Sequence, residues 1–157
     1  MDNLAKFAAL HKHWCTADSV DYHLRRSVGS PETLPKDVPK ALADVAVQMS
    51  VFMAIGVWYS LLQVVVEGYK ELDYQDNRID GLLSQEEYVD ALRRFRNATF
   101  HYQEDPISPK LLEFLTATES ERWINQLNVA FRSFFEEKLR ELGMEEMLAT
   151  FGSRGRP

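Results

Sequence analysis

The pattern of hydrophobic and polar positions predicts helices along most of the chain. Apolar residues recur at three- and four-residue intervals from about Leu4 into the twenties, from about Val38 to Leu72, and again after Thr118. The last of these stripes contains Trp123, Ile124, Leu127, Ala130, Phe131, Phe134, Phe135, Leu139 and Leu142. No segment shows the two-residue alternation typical of a half-buried strand. The predicted fold class is therefore all-α, an up-and-down bundle of four to five helices.

Chain breakers and capping residues set the predicted boundaries. A loop is predicted where such residues concentrate, at Gly29, Pro31, Pro35 and Pro39, the last of which suits the first turn of the second helix. Asp73 to Leu83 is predicted to be a polar connection. Ser84 with Glu87 has the pattern of a capping box, which opens a third helix expected to end near Gln103.

Two later signals predict the remaining helices. Ser108 followed by Pro109 is typical of a helix N-cap and first turn, and predicts a short helix. Thr118 with Glu121 predicts the cap of the long final helix.

The second helix is unusual because it contains no charge between Asp44 and Glu67. Such a run is long enough in principle to span a bilayer, which needs roughly 20 mainly apolar residues. Its hydrophobicity is diluted by Gln48, Ser50, Ser60 and Gln63. With no polybasic cluster at either end, a central helix buried on most sides is favoured over a membrane span. A contact with a second copy around Trp58 and Tyr59 is the alternative for part of this surface.

Length and composition narrow the class of protein. A chain of 157 residues with 45% hydrophobic and 27% charged residues is typical of one globular domain. We assign residues 1–150 to that domain and residues 151–157 to a frayed tail. Cys15 is the only cysteine, so no intrachain disulfide is possible, and the first ten residues lack the pattern of a secretory signal. A cytoplasmic protein is predicted.

The net charge of −6 argues against broad electrostatic affinity for nucleic acid, which depends on many Lys and Arg contacts to phosphate. Any contact with RNA must therefore be local, and binding to DNA is not expected.

Two groups of residues resemble metal sites but are better explained without a metal. The first matches several positions of an EF-hand calcium loop, namely Asp76, Asp80, Gly81, Leu83 and Glu87. Arg78, however, occupies the third position, where an oxygen ligand is required. His11 and His13 lie two residues apart on a helix and so point to nearly opposite sides. Neither a metal nor another cofactor is predicted.

The most informative segment is LRRFRNATFHYQ, Leu92 to Gln103. In it Arg96 is followed directly by Asn97 and, five residues after the arginine, by His101. This spacing resembles the HEPN family, whose members have an Arg, usually a polar residue next, and a His after four to six intervening residues near the end of a helix. The length of the chain and its aromatic last helix are also similar to that family. One departure is Tyr102, which follows the His directly, whereas some HEPN toxins have a Tyr two residues after it.

The HEPN resemblance implies a metal-independent endoribonuclease that acts as a homodimer within a HEPN-like bundle. His101 would take the proton of an RNA 2′-hydroxyl, Arg96 would hold the phosphoryl oxygens, and Asn97 would orient the phosphate or the imidazole ring. The products implied are a 2′,3′-cyclic phosphate and a 5′-hydroxyl. Substrate contacts are expected from Arg93, Arg94 and Tyr102.

The biological role implied is that of a toxin or phage-defence effector with an inhibitory partner protein. A non-catalytic HEPN-like module that binds a nucleotide, RNA or a protein is the alternative. In a third interpretation the motif is structural, with Arg96 paired to a carboxylate on a neighbouring helix and His101 at a helix end.

Helical geometry makes a further prediction about the motif. At about 100° per residue, Asn97 lies some 40° from His101, but Arg96 lies about 140° away, towards the face that contains Val89, Phe95 and Phe100. A permanently charged side chain in that position should have a partner.

Overall fold

The computed structural model describes residues 2–27, 38–105 and 108–144, and these residues form six α-helices and no strands. The helices are α1 (Asp2–Ser27), α2 (Lys40–Glu71), α3 (Asn77–Leu83), α4 (Glu86–Phe100), α5 (Pro109–Thr116) and α6 (Ser120–Glu141). The predicted all-α helical character is therefore confirmed. The predicted loop residues Gly29, Pro31 and Pro35, and the predicted tail at residues 151–157, lie outside the described residues.

The core is aromatic and lies where α1, α2, α4, α5 and α6 meet. Its largest fully buried side chains are Tyr69, Phe95, Phe114, Phe131, Phe134 and Phe135. Helix α1 runs antiparallel to α2, since Leu10 lies against Gly68 and the guanidinium of Arg25 lies 5.6 Å from the ring centroid of Trp58. Helix α6 joins the pair through the indole of Trp14, which donates a hydrogen bond of 3.1 Å to Asn128 Oδ1.

The two halves of α2 have different surroundings. In residues 56–71 most side chains are buried, including Trp58 and Tyr59, which are 3% and 6% exposed. The suggestion that these two aromatic residues meet a second copy is therefore wrong, because they pack inside their own chain. Residues 40–55 contain no buried side chain, so the favoured interpretation of a helix buried on most sides is right only for the second half. Among the described residues α2 is the one helix long and apolar enough to cross a membrane, with 44% of its most apolar stretch buried.

The predicted connection between Asp73 and Leu83 contains helix α3, which the sequence analysis missed. Asp76 caps this helix by accepting hydrogen bonds from the N–H groups of Arg78 and Ile79. The side-chain hydrogen bond from Arg78 also holds the pKa of the Asp76 carboxyl below its usual range. Ile79 and Leu83, four residues apart, are both buried and attach the helix to the core.

The predicted capping box at Ser84 is wrong. Ser84 ends α3 instead, and its hydroxyl donates a hydrogen bond to the Gly81 carbonyl, which leaves Gln85 as the residue before α4. Arg78 pairs with Asp76 and with Glu137 of α6, so a guanidinium lies in the segment that resembled a calcium loop.

The later boundaries are close to the predicted ones. Ser108 and Pro109 begin α5 as predicted, although the Ser108 side chain makes no capping hydrogen bond. Helix α6 is preceded by Glu119, one residue after the predicted cap Thr118. Glu119 has a left-handed backbone conformation (φ 63°), and no side-chain hydrogen bond caps the helix.

Candidate active site at the end of the fourth helix

Helix α4 carries the motif residues and is attached to the core by one face. Ala91, Leu92, Phe95 and Ala98 are its buried residues. Their spacing of three and four residues places them on one side of the helix. The rest of the helix, including the motif, therefore lies at the surface or along the contact with α2.

The guanidinium of Arg96 is held by two partners. Its Nη2 atom lies 2.6 Å from Glu67 Oε2 on α2, and its Nη1 atom donates a hydrogen bond of 2.9 Å to Asn97 Oδ1. The amide of Gln63 donates a hydrogen bond of 3.3 Å to the other carboxylate oxygen of Glu67. The prediction that Arg96 has a partner is confirmed. The pair is partly open to solvent, because the side chains of Arg96 and Glu67 are 28% and 40% exposed.

His101 lies just beyond the helix. Helix α4 ends at Phe100, three residues before the predicted end, and His101 follows in extended conformation with its N–H bonded to the Asn97 carbonyl at 3.0 Å. The Gln103 side chain donates hydrogen bonds to the carbonyls of His101 and Tyr102, so these two oxygens have partners although the helix does not continue. The predicted angle between Arg96 and His101 therefore no longer applies.

The three motif residues form a connected group. Arg96 is bonded to the Asn97 side chain, and the Asn97 backbone is bonded to that of His101. The His101 side chain is exposed, and Tyr102 beside it is 90% exposed. The exposed His101 thus follows, five residues along the chain, an arginine whose guanidinium is held in place by a carboxylate.

The predicted phosphate contacts are both paired with carboxylates. Arg93 Nη2 lies 3.1 Å from Asp90 Oδ1 on the same helix. Arg94 makes two hydrogen bonds to Glu113 of α5, at 2.9 and 2.6 Å, and this lowers the pKa of the Glu113 carboxyl. The motif end of α4 is therefore less positive than its arginines suggest.

Sequence reasoning did not assign Glu67 and Gln63 to this site. A signal for them was present, because Glu67 is the first charged residue after the uncharged run of α2 and Gln63 lies one turn before it. A charged residue that ends such a run, four residues after a polar one, is a candidate partner for a cation on the helix packed against it.

The two histidines that resembled a metal site, His11 and His13, lie on α1. The ring of His11 is buried, stacks between Phe7 and Trp14, and has its Nε2 atom 3.4 Å from the Cys15 sulfur. Burial lowers the pKa of His11 and raises that of Cys15 to about 11, so this thiol is protonated near neutral pH. His13 is exposed on α1. In the described part of the chain no three His, Cys, Asp or Glu residues are grouped as metal ligands.

Comparisons of this chain with protein-family models, with curated proteins and with solved structures found no match. The HEPN resemblance therefore rests on the sequence features described above.

Proposed function

We propose that this chain is a metal-independent endoribonuclease of HEPN type, with a HEPN-like bundle and a site formed by Arg96, Asn97 and His101. The observation that carries the proposal is the grouping of these three residues at the exposed end of α4, where Arg96 is bonded to the Asn97 side chain and His101 directly follows the helix. The chemistry needs a base that exchanges protons near neutral pH beside a fixed cation, and histidine and arginine supply these two groups.

In the proposed reaction the His101 imidazole takes the proton of a ribose 2′-hydroxyl. The 2′-oxygen then attacks the adjacent phosphorus, the bond to the 5′-oxygen breaks, and that oxygen takes up a proton. A guanidinium has five N–H donors, so Arg96 can hold phosphoryl oxygens while it stays bonded to Glu67 and Asn97. Glu67 acts as a positioning residue, since it fixes the guanidinium without touching the RNA.

The test is cleavage of RNA by purified protein in the presence of EDTA. We expect fragments that end in a 2′,3′-cyclic phosphate, and we expect His101→Ala to lower the rate by about 10²–10⁴-fold, the usual contribution of a general base. His13→Ala is the matched control, because His13 is also exposed but lies on α1. A His101→Ala protein that cleaves as fast as the parent would refute the assignment.

A growth experiment tests the proposed role as a toxin or phage-defence effector restrained by a partner protein. Expression of the parent chain without other proteins should slow growth, whereas expression of His101→Ala should not. Equal growth with the two chains at equal protein levels contradicts this role.

A second function, a non-catalytic binding module, is favoured by one observation. Each arginine near the motif is paired with a carboxylate, through the pairs Arg93–Asp90, Arg94–Glu113 and Arg96–Glu67. Paired arginines attract phosphate less than unpaired ones. This function takes precedence if the parent protein cleaves no RNA but binds a nucleotide or a short RNA, and if that binding is weakened by Arg94→Ala.

A further inference from the structure

Four residues in the second half of α2 lie on the side of the helix that packs against α4. At about 100° per residue they fall within an arc of about 60°. Two of them contact α4 directly, since Gly56 lies against a threonine of that helix and Glu67 binds Arg96. The other two, Ser60 and Gln63, lie between them along α2 and are 0% and 2% exposed. Small and polar residues therefore face the helix that carries the motif.

Gln63 is an unusual residue for a buried position. Its Nε2 atom donates a hydrogen bond of 3.3 Å to Glu67 Oε1, but its own Oε1 atom accepts no hydrogen bond from the described part of the chain. A buried carbonyl without a partner costs at least as much stability as one ordinary hydrogen bond contributes. Gln63 therefore adds little or nothing to the stability of the fold. Methionine, which is similar in length and needs no partner, would suit the position better.

The contact with Glu67 explains why the oxygen of Gln63 is unpaired. An ionised carboxylate only accepts hydrogen bonds, so the amide must turn its NH2 group towards Glu67. The opposite orientation would place the amide oxygen against a carboxylate oxygen, and the two would repel each other. The unpaired oxygen is thus a consequence of holding Glu67.

The hydrogen bond from Gln63 fixes a side chain that would otherwise move freely. Glu67 is 40% exposed, and an exposed carboxylate samples several rotamers unless a contact holds it. Gln63 holds one of its oxygens, and the other, Oε2, lies 2.6 Å from Arg96 Nη2. The guanidinium is held at a second atom as well, because Nη1 donates to Asn97 Oδ1. These contacts lead from the buried interior to the motif.

We propose that Gln63 is a positioning residue of the candidate site, whose amide fixes the carboxylate of Glu67 and thereby fixes the guanidinium of Arg96. Such support from behind the reacting groups keeps a site in its productive geometry. The proposal rests on the proposed function only for the reaction that Arg96 assists. The orientation of the guanidinium can be measured without any reaction.

Thermal unfolding distinguishes positioning from a structural role. Gln63→Met should unfold at a midpoint no lower than that of the parent, because it removes an unpaired buried oxygen. Ser60→Ala is the matched control: the Ser60 hydroxyl is also buried without a partner, and no hydrogen bond joins it to Glu67 or Arg96 within the described residues. Its midpoint should also be no lower than that of the parent. A midpoint for Gln63→Met more than about 4 °C below that of the parent would overturn the proposal, since Gln63 would then be needed for the fold.

Nuclear magnetic resonance of the Arg96 side chain tests the positioning itself. The Nη hydrogens are assigned by comparison with Arg96→Lys, and their exchange reports rotation of the guanidinium. In Gln63→Met this rotation should be faster than in the parent by about 2–10-fold, the factor that one hydrogen bond is worth. Ser60→Ala should rotate as the parent does. Equal rates in Gln63→Met and the parent would overturn the proposal.

RNA cleavage measures the effect on the proposed reaction. Gln63→Met should lower kcat by about 10–100-fold with KM nearly unchanged, since small displacements of a group beside the reacting phosphate slow the reaction strongly. Ser60→Ala should cleave at the parental rate. A Gln63→Met protein with the kcat of the parent would overturn the proposal.

Gln63→Glu provides a readout that a structural role would not produce. The introduced carboxyl repels Glu67 when it is ionised, but it donates a hydrogen bond to Glu67 when it is protonated. The ratio of its kcat to that of the parent should therefore increase as the pH is lowered, and a ratio independent of pH would contradict the proposal. A parent that cleaves no RNA refutes the ribonuclease function alone, and the rotation of Arg96 then decides on Gln63.

Discussion

The two halves of α2 have similar composition but different environments. In residues 56–71, Trp58, Leu62 and Tyr69 are covered by neighbouring helices and are at most 3% exposed, whereas Leu42 and Met53 in residues 40–55 are more than half exposed. The difference arises from the reach of the neighbouring helices, because the end of α1 lies near Trp58 and the end of α4 lies near Gly56. Hydrophobicity thus makes a residue suitable for burial, but the lengths of the neighbouring helices decide whether it is buried.

The largest expected effect of this difference comes from shortening one apolar side chain in each half. Leu62→Ala should lower the free energy of unfolding by about 2–5 kcal/mol, because Leu62 is fully buried and its loss leaves a cavity. Met53→Ala should change it by less than about 0.5 kcal/mol in the monomer, since Met53 is 64% exposed. Urea unfolding at low protein concentration measures both variants. Similar losses for the two would mean that the halves of α2 are equally buried.

The helical character of the chain could be predicted from its sequence because the spacing of apolar residues follows directly from helix geometry. Leu127, Phe131 and Phe134 on α6 illustrate this, since all three were predicted on one face and all three are buried. Helix α3 was missed because seven residues are too few to show a period, and its stability depends on the Asp76 cap and on tertiary burial of Ile79. The uncovered half of α2 was missed because coverage depends on where other helices end.

The next largest effect on stability is expected from alanine substitutions at two glycines of α2, Gly68 and Gly56. A Cβ atom at Gly68 would stand 2.7 Å from Leu10 Cδ1, and Leu10 is buried, so Gly68→Ala should overpack the contact with α1 and destabilise by about 1–3 kcal/mol. At Gly56 the nearest atom would be Thr99 Cγ2 at 3.7 Å, which is ordinary contact. Gly56→Ala should therefore stabilise by about 0.5–1 kcal/mol through helix propensity. Thermal unfolding distinguishes the pair, and shifts of the same sign would contradict the packing described for one of them.

The ion pair between α2 and α4 should have a smaller effect. A buried partner of Arg96 would make Arg96→Ala strongly destabilising, but Glu67 is 40% exposed, so solvent screens the pair. A double-mutant cycle with Arg96→Ala and Glu67→Ala should give a coupling energy of about 0.2–1 kcal/mol that falls at high salt. A coupling above about 3 kcal/mol would indicate a buried pair. The same cycle around Arg94 and Glu113, 39% and 47% exposed, is the control on the other side of α4.

The motif could be found from the sequence because it is local, but its surroundings could not. Arg96, Asn97 and His101 lie within six residues, so spacing alone identified them and indicated that Arg96 needed a partner. The partner is Glu67, which is 29 residues away along the chain, and only the packing of α2 against α4 brings the two together. The end of α4 at Phe100 was not predicted either. The Gln103 side chain donates a hydrogen bond to the His101 carbonyl and so stabilises the extended segment that follows the helix.

The smallest expected effect is a pH dependence that reports how α1 covers the second half of α2. His11 follows Leu10, which packs on Gly68, and its ring lies among Phe7, Trp14 and the Cys15 thiol. Burial lowers the pKa of His11 below its ordinary value of 6.5. As the pH falls through 6.5, the unfolded chain therefore binds a proton at this residue before the folded chain does. The contribution of His11 to the free energy of unfolding should be constant above that pH, and it should fall progressively as the pH decreases below it.

The experiment compares unfolding free energies between pH 7.5 and pH 5 for two variants. His11→Gln should reduce the loss of stability on acidification, because glutamine binds no proton in this range. His13→Gln is the matched control for the substitution, since His13 is exposed on the same helix. The Cys15 thiol, with a pKa of about 11, does not titrate in this window. If both variants keep the full pH dependence of the parent, protonation of His11 does not oppose folding, and α1 covers this end of α2 less tightly than the contact between Leu10 and Gly68 indicates.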